Sequence, residues 1–343
     1  VGEHNVVIQY FTNGIPDPPH GYAGRIRRFL DAYLGSIEHP VPFAGREAEL
    51  SALDRWLDDP TASPYLLLLA PAGRGKSALL AEWSQRLASR HDLAIAFIPV
   101  SVRFRTNLSS VVFAAIVARL SNLFGEPLPI GANDPEQWRD LGLSYLNRPL
   151  PDGRRLLLIL DGIDEAADWE PGPDLFPLNP PASVRIALAT REVADVPDAR
   201  SWFQLLGWER SGLGGHLSLD QLDQDGIAAV LAFADVPTQP GEPSMDLAGE
   251  LHHLSGGEPL LVRLYVEHLS SDIGEGRKPQ IETLSAIPPG LSGYFELWWH
   301  DQRQLWGQDA PLKERHVQIV LSLLACAKGP LRLDDMQQLA PDD

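Results

Sequence analysis

Short apolar runs of strand length alternate with amphipathic stretches as far as about residue 220. In the stretches between the runs, apolar residues recur every three or four positions, which is typical of one face of a helix. This alternation predicts an α/β fold built on a parallel sheet. The predicted strands are Tyr65–Ala70, Leu93–Ser101, Leu156–Asp161, Val184–Thr190 and His216–Leu219, and the predicted helices among them are Glu47–Leu57, Ser77–Leu87, Ser109–Leu123 and Asp134–Leu146.

Beyond residue 220 the pattern is helical throughout, which predicts a helical lid followed by the beginning of a further small helical unit. Residues before 41 combine a β-rich stretch at 4–11 with several prolines and a helical pattern over Arg25–Leu34, so they are interpreted as a lead-in. The predicted helices after 220 are Asp223–Ala234, Met245–Leu254, Pro259–Ser270, Tyr294–Leu305, His316–Ala327 and Leu333–Leu339. The predicted domains are the lead-in at 1–40, the α/β domain at 41–222, the lid at 223–310 and the beginning of another domain at 311–343.

A glycine-rich loop joins the first predicted strand to the helix that follows it. Residues 70–77 read Ala-Pro-Ala-Gly-Arg-Gly-Lys-Ser, a phosphate-binding loop in which alanine replaces the usual first glycine. Glycines let successive backbone N–H groups curl around a polyphosphate, and the helix N-terminus adds partial positive charge. Lys76 is placed to reach the β- and γ-phosphates, and the Ser77 hydroxyl to ligate Mg²⁺. The loop therefore predicts binding of a nucleoside triphosphate with Mg²⁺.

The third predicted strand ends in acidic residues. Five apolar residues lead to Asp161, and Asp164 and Glu165 follow on the turn. Because ligands of open α/β sheets bind at the C-terminal edge of the strands, Asp161 is expected to hold Mg²⁺ opposite Ser77. Asp164 and Glu165 are both candidates for the group that polarises an attacking water, and one of them could instead brace the loop. A whole strand–helix unit precedes this strand, which predicts that the acidic strand does not lie directly beside the loop strand.

Composition narrows the range of partners. The chain of 343 residues is 44% hydrophobic and 22% charged, with a formal net charge of −18. Non-specific binding to nucleic acid needs a basic face, and only the small cluster Arg25, Arg27 and Arg28 stands out, so nucleic acid is not expected as a partner. No apolar run is long enough to cross a membrane and no signal peptide is visible, so a cytoplasmic protein is expected. The single cysteine, Cys326, lies in an apolar run and is predicted to be buried.

Four stretches together resemble the STAND branch of the AAA+-related P-loop NTPases, which includes NACHT ATPases, apoptotic and plant-resistance (NB-ARC) ATPases and bacterial relatives. Phe43-x-Gly-Arg46-Glu resembles the family's segment at the start of the nucleotide-binding domain, which packs on adenine. The acidic strand has the family's tiny residue, Gly162, directly after the aspartate that is expected to hold Mg²⁺. The run that ends at Arg191 resembles the sensor strand whose arginine reads the γ-phosphate. Gly-Glu-Pro259-Leu resembles the lid motif whose proline packs against adenine.

The resemblance implies ATP or ADP and Mg²⁺ as cofactors, an additional-strand P-loop NTPase fold with a five-stranded parallel sheet, a helical lid and the start of a winged-helix domain. The residues expected to act in catalysis are Lys76, Asp161, Asp164, Glu165 and Arg191. The residues expected to hold the metal are Ser77 and Asp161. The residues expected to contact the nucleotide are Phe43, Arg46, Ala72, Gly73, Arg74, Gly75, Lys76, Ser77, Ala78 and Pro259.

From this resemblance we expect a slowly hydrolysing ATP switch, the regulatory core of a larger signalling or defence protein that forms homo-oligomers when activated. The absence of an initiator methionine fits a segment of such a protein, whose effector and sensor domains would lie outside it. The content of alanine, leucine and proline suits a bacterial source. Two alternatives stay open: an ATP-driven loader or motor acting on DNA, which the net charge argues against, and a scaffold that binds nucleotide without turnover.

Overall fold

The computed structural model of the chain describes residues 21–36, 40–128, 134–209, 213–236, 246–274, 287–327, 331 and 333–339. The predicted β-rich stretch at 4–11 lies outside the described residues. The strands are β1 (Tyr65–Leu69), β2 (Leu93–Pro99), β3 (Arg155–Asp161), β4 (Val184–Thr190) and β5 (Gly214–Ser218).

All five strands are parallel and form one sheet in the order β2-β3-β4-β1-β5. Every residue of β1, β2 and β4 is buried, as in parallel sheets covered on both faces, whereas the edge strand β5 is partly exposed. β4 separates the acidic strand β3 from the loop strand β1. The predictions of an α/β fold with a five-stranded parallel sheet, and of an acidic strand that is not beside the loop strand, are therefore confirmed.

Helices follow the alternation that the apolar pattern predicts. Those that accompany the sheet are α1 (Tyr22–Leu34), α2 (Glu47–Asp58), α3 (Lys76–Leu87), α4 (Ser109–Phe124), α5 (Pro135–Leu146) and α6 (Ala199–Leu205). Those that come after the sheet are α7 (Gln224–Phe233), α8 (Leu247–Ser255), α9 (Pro259–Gly274), α10 (Leu291–Trp306), α11 (Ala310–Cys326) and α12 (Leu333–Leu339). No helix in the described part of the chain has both the length and the apolar character needed to cross a membrane.

The described residues form two hydrophobic cores. The larger core surrounds the sheet and includes one face of α1, with Tyr22, Ile26, Phe29 and Leu30 buried. The second core lies among α7, α8 and α9, and Tyr294 of α10 packs against it. Helix α1 thus packs into the core of the sheet domain, whereas α7 to α10 form a separate helical unit, which is called the lid below after the prediction of the sequence analysis.

Glycines let the sheet domain and the lid approach each other closely. Gly45 has a φ of +75°, and a Cβ added to it would lie 2.6 Å from the Cα of Gly226 in α7. Gly257 has a φ of +73°, and a Cβ there would overlap the carbonyl oxygen of Leu222, whose N–H donates to the carbonyl of Gly257 at 2.8 Å. Gly45 and Gly226 therefore bring the two units together backbone to backbone, whereas Gly257 and Leu222 belong to the lid side, and a cavity lies between the units.

Two features differ from the sequence analysis. Cys326 is exposed at the end of α11, so the prediction that it is buried was wrong. Leu321 and Leu324 of the same helix are exposed as well, because α11 packs mainly on α10 and α12 in the described structure. An apolar run predicts a helix but not which of its faces is covered. The short helix α6 was not predicted; it begins at Ala199, after the N-cap residue Asp198, whose carboxylate accepts the N–H of Ser201 at 2.7 Å.

Candidate active site

The phosphate loop connects β1 to α3 in the geometry that an anion requires. Gly73 and Gly75 have φ angles of +82° and +89°, in the left-handed region that favours glycine. Gly75 is the N-cap of α3, and no side chain of the described residues caps that helix. The first N–H groups of α3 are therefore available to an anion, which the partial positive charge of the helix N-terminus also attracts.

Lys76, the first residue of α3, folds back over the loop. Its Nζ donates to the carbonyl oxygens of Ala70 at 2.6 Å and Pro71 at 2.9 Å. Burial lowers the pKa of Lys76 to about 8, although Asp164 and Asp161 oppose this effect. The ammonium is therefore still mainly charged at neutral pH, and a change of rotamer would exchange a loop carbonyl for a phosphate oxygen.

Asp161 ends β3 at the C-terminal edge of the sheet. It is only 3% exposed, and burial raises the pKa of Asp161 to about 6 despite the nearby Ser77 hydroxyl and Lys76 ammonium. Gly162 follows with a φ of +83°, and a Cβ there would lie 2.5 Å from the carbonyl oxygen of Val100. Glycine at this position is thus required for the chain to turn directly after Asp161. A buried carboxylate of this kind favours a bound cation.

Ser77, Asp161 and Tyr33 of α1 line the same part of the site, and the sequence analysis missed Tyr33. The Ser77 hydroxyl lies close enough to the Asp161 carboxylate and to the Tyr33 phenol to lower the pKa of each, although burial outweighs it in both. Tyr33 is partly buried, lines the same cavity, and burial raises its pKa. Tyr33 belongs to no motif that the sequence analysis used, and it lies in the segment at 1–40 that was interpreted as a lead-in. Ser77 and Asp161 together supply the oxygen ligands that Mg²⁺ prefers.

Arg191, directly after β4, holds both acidic residues of the turn. Asp164 accepts the Arg191 backbone N–H at 3.0 Å and its Nε at 2.7 Å, and the Arg191 guanidinium also pairs with Glu165. The second oxygen of Glu165 accepts the backbone N–H of Val102 at 2.8 Å. The Asp164 side chain is 5% exposed and that of Glu165 is 26% exposed. Glu165 is therefore the acid with access to solvent, whereas Asp164 is buried against Arg191.

Two arginines of the predicted nucleotide contacts also make bonds within the protein. Arg46 donates to Glu49 Oε1 at 2.6 Å, to the carbonyl of Asp220 at 2.7 Å and to the carbonyl of Arg74 at 3.3 Å. The Arg74 guanidinium pairs with Glu258 of the lid, with 3.0 Å between Nη2 and Oε1. Its Nε is buried and has no hydrogen-bond partner among the described residues. Arg46 fixes the loop to the sheet domain, and Arg74 links the loop to the lid.

The cavity between the sheet edge and the lid has a volume of about 340 Å³, and every residue predicted for the site lines it. Pro259 and Leu260 bring α9 against the loop. A Cβ added to Gly75 would lie 4.0 Å from the Cβ of Pro259. A Cβ added to Gly73 would lie 3.8 Å from the Cβ of Leu260. The structure thus gathers residues from distant parts of the chain at one place, although it does not itself assign their roles.

An apolar wall completes the cavity, and the sequence analysis missed it. Helical periodicity could have found part of this wall, because Val262 and Val266 lie three and seven residues after Pro259 and so share its face of α9. Arg263 and Glu267 of the same helix also line the cavity and pair with each other at 2.6 Å. The apolar residues of the wall are Val41, Pro42, Leu222, Val230, Val262 and Val266.

The residues of the cavity fit a nucleoside triphosphate with Mg²⁺. The uncapped end of α3, Lys76 and Arg191 offer positive charge for phosphates, and Arg74 adds a buried donor without a protein partner among the described residues. Ser77 and Asp161 offer oxygen ligands for the metal. An apolar wall suits a purine base, and the volume falls within the roughly 300–1,000 Å³ of small-molecule sites.

Comparison with known proteins agrees with this assignment. The sequence profile of the AAA ATPase domain matches residues 42–262, which is more than half of the chain. The chain therefore belongs to the AAA ATPase domain family and is an AAA+-related P-loop NTPase. No curated protein sequence matches it.

Several solved structures are remotely similar. Cdc6p from Pyrobaculum aerophilum has 17% identity and a TM-score of 0.49, over 72% of this chain and 67% of its own. The ORC1 protein of Aeropyrum pernix, solved in complex with DNA, has 18% identity and a TM-score of 0.49, over 88% of this chain and 77% of its own. A signal transduction ATPase with numerous domains (STAND) from Pyrococcus horikoshii, which carries a tetratricopeptide repeat sensor, has 16% identity and a TM-score of 0.44. The latter match covers 88% of this chain and 37% of the archaeal STAND protein.

Proposed function

We propose that this chain is a STAND-type switch that binds ATP with Mg²⁺ between the sheet edge and the lid and hydrolyses it slowly. The observation that carries the proposal is the Arg74–Glu258 ion pair beside the cavity, which Arg74 lines. It joins the phosphate loop directly to the lid, in a site where all the predicted nucleotide contacts come together. A ligand that contacts both units would favour one arrangement of the lid over another, in proportion to its difference in affinity for the two.

The contacts of the acidic turn support a division of roles in hydrolysis. Mg²⁺, when bound, neutralises charge that develops on the phosphate oxygens. Glu165 is the acid with solvent access, so its carboxylate is the one that orients a water and accepts its proton. Asp164 holds Arg191 through both its backbone N–H and its Nε, which directs the guanidinium at the cavity. Lys76 and Arg191 then stabilise negative charge on the phosphates.

The same contacts support slow turnover. Glu165 is bound both by the Arg191 guanidinium and by the N–H of Val102. Each of the two carboxylate oxygens is therefore already occupied by a donor of the protein. Glu165 must therefore exchange the Arg191 contact for water before it can act, and Arg191 becomes free to contact a γ-phosphate in the same exchange. Slow hydrolysis suits a switch, because the ATP-bound state must persist long enough to act.

Assembly into homo-oligomers, and effector and sensor domains outside this segment, form part of the proposal and rest on the STAND resemblance. The test begins with the nucleotide that the purified chain retains, identified by chromatography after denaturation. Its mass by light scattering is then compared in ADP and in a non-hydrolysable ATP analogue. We expect bound adenine nucleotide and a larger species with the ATP analogue; absence of nucleotide binding would overturn the proposal, and an unchanged mass would overturn the assembly step.

Two further measurements separate the alternatives. A gel shift at physiological salt with duplex DNA tests the loader or motor: with a formal net charge of −18 we expect no shift, and a clear shift would favour a DNA-acting ATPase. Single-turnover hydrolysis tests the scaffold: we expect slow but measurable cleavage of ATP. Nucleotide that stays intact over many hours would show a protein that binds without turnover.

A further inference from the structure

Four arginines lie together where α1 meets the turn at 101–106, which follows β2. Arg25 and Arg28 are three residues apart and so share one side of α1. Arg25 Nη1 donates to the carbonyl of Arg105 at 2.5 Å. Phe29 packs edge-on against Phe104 of the same turn, with ring centroids 5.3 Å apart. These contacts hold the turn against the helix. The arginine patch is defined by Arg25, Arg28, Arg103 and Arg105.

The arginine patch has no ion pair in a chain that has an excess of carboxylates. The formal net charge is −18, and most arginines in the described part of the chain pair with an aspartate or a glutamate. Arg28, Arg103 and Arg105 are exposed, and no ion pair among the described residues involves the patch. Arg105 also has a φ of +57°, which is costly for a residue with a side chain. Four like charges repel one another, so the patch fits an anionic partner.

A second cavity, with acidic walls, adjoins the arginine patch. It has a volume of about 470 Å³, and Trp169 forms part of its lining. Trp169 Nε1 donates to the carbonyl of Asn107 at 3.1 Å, and the Ser109 N–H donates to Asp168 at 2.7 Å, directly after the arginine turn. An arginine side chain from outside could pair with carboxylates there and stack on the indole. The acidic cavity is defined by its carboxylates, which are those of Asp134, Glu136, Asp168, Glu170 and Asp174.

We propose that a second copy of this chain docks here, with the arginine patch of each copy against the acidic cavity of the other. Opposite charges side by side are self-complementary about a two-fold axis. Val102 and Leu108, which are 43% and 44% exposed, flank the turn and add apolar contact area. A DNA backbone would fit the patch alone, but the carboxylates of the adjoining cavity would repel its phosphates.

Both halves of this face are attached to the acidic turn of the nucleotide site. The Val102 N–H donates to the Glu165 carboxylate at 2.8 Å, which connects the arginine turn to that residue. Asn107 Nδ2 donates to the Glu165 carbonyl at 3.2 Å, and Asp168 of the acidic cavity follows three residues later in the chain. A change in the contacts of Glu165 is therefore transmitted to both halves. The inference rests on the proposed function and names the surface through which ATP-driven assembly occurs.

Two charge-reversed variants of the full 343-residue chain test this surface. Arg28→Glu with Arg103→Glu makes the patch acidic, and Glu136→Lys with Glu170→Lys makes the cavity basic. All four side chains are exposed. Residues that support the local structure are kept: Arg25 and Arg105 hold the turn against α1, and Asp134 and Asp168 accept the first N–H groups of α5 and α4.

The matched control is Arg55→Glu with Arg200→Glu, which changes the net charge as much as the patch variant does. Both arginines are exposed, and neither belongs to the patch or lines the acidic cavity. Mass is measured by light scattering in AMP-PNP with Mg²⁺, for each protein alone and for an equimolar mixture of the two charge-reversed variants. Calorimetry checks that every protein binds AMP-PNP.

We expect the wild type and the control to form a species of two copies. Each charge-reversed variant alone should associate about tenfold or more weakly, because like charges then face each other. The mixture should recover the pair, since one variant is acidic where the other is basic. Wild-type assembly of either variant alone, or a mixture that does not recover the pair, would overturn the inference. A ring of more than two copies would overturn the two-fold arrangement.

The wild type provides a test that does not depend on the variants. Raising the ionic strength from about 0.1 to about 1 M shortens the Debye length from about 10 to about 3 Å, so the pair should weaken markedly. Pairing that does not respond to salt would overturn the inference. So would a labelled DNA duplex that binds the wild type but not Arg28→Glu with Arg103→Glu, because the patch would then serve nucleic acid.

The outcomes separate this inference from the proposed function. A wild-type chain that does not bind AMP-PNP would overturn the proposed function itself. A chain that binds AMP-PNP without any change in mass would overturn the assembly step and, with it, this inference. Assembly that persists in the charge-reversed variants would overturn the inference alone and leave the switch in place.

Discussion

The ion pair between Arg74 and Glu258 joins the phosphate loop to the lid, so breaking it should loosen the lid. The Nη2–Oε1 distance is 3.0 Å, and the side chains are 13% and 34% exposed. At an effective dielectric constant of about 20, two unit charges at that distance attract by about 5–6 kcal/mol. Desolvation and the ordering of two long side chains offset most of this attraction, and Glu258 is partly screened by solvent. We therefore expect a net coupling of about 1 kcal/mol, or roughly fivefold in the lid equilibrium.

The dissociation rate of a fluorescent ADP, measured by stopped flow, reports the lid. Glu258→Gln isolates the contact, because Glu258 does not itself line the cavity among the described residues, whereas Arg74→Met also removes charge from the loop. We expect Glu258→Gln to release ADP about fivefold faster. In the Arg74→Met background the same change should have no further effect.

Arg148→Met serves as a matched control for this prediction. Arg148 forms a comparable ion pair with Glu126 at 3.1 Å, at a place that does not line the cavity. Its loss should change the ADP release rate by less than about twofold, as for other exposed pairs. If Glu258→Gln releases ADP at the wild-type rate, or if its effect persists in Arg74→Met, the ion pair does not hold the lid.

Five further substitutions test the site. Lys76→Ala should weaken nucleotide binding by about 2–3 kcal/mol through the loss of a charge-assisted phosphate contact, and wild-type affinity by calorimetry would contradict the site. Asp161→Asn should retain much of the binding but lose Mg²⁺ dependence and turnover. Because burial raises the folded pKa of Asp161 from 3.8 to about 6, the wild-type protein loses stability as the pH rises through that interval. In EDTA, Asp161→Asn should therefore melt higher than the wild type at about pH 7.5, and this advantage should shrink toward about pH 4; a constant difference would refute the ionisation argument. Glu165→Gln should slow single-turnover hydrolysis more than Asp164→Asn, since Glu165 is the acid with access to water. An unchanged rate of hydrolysis in both variants would reject both residues as the base. Arg191→Ala should weaken ATP more than ADP and prevent ATP-driven assembly in light scattering, whereas equal losses would make Arg191 a structural residue.

The parts of the fold that the sequence predicted are those that local patterns determine. The strand before the phosphate loop and the acidic strand are continuous apolar runs, and parallel strands buried on both faces must be of that kind. The separation of the acidic strand from the loop strand was predictable from one topological fact, the extra strand–helix unit before Asp161. Gly162 was noted only as a tiny residue, and the structure supplies the reason: a side chain there would meet the carbonyl of Val100.

The contacts that the sequence could not predict join residues far apart in the chain. Arg46 was expected near the nucleotide, yet its guanidinium also donates to the carbonyls of Asp220 and Arg74, partners that no local pattern decides. The pairing of Arg74 with Glu258 depends on how the lid packs against the loop. Tyr33 enters the site because the apolar face of α1 packs in the core of the sheet domain, which brings the last turn of that helix to the cavity.

The exposed position of Cys326 has a practical consequence. It is the single cysteine of the chain, so a thiol-reactive dye would label one site, at the end of α11, without any mutation. Energy transfer from that dye to a fluorescent nucleotide would follow the distance between α11 and the cavity in real time. The same thiol can oxidise between copies of the chain, so measurements of assembly require a reducing agent, lest disulfide-linked pairs be mistaken for the ATP-driven form.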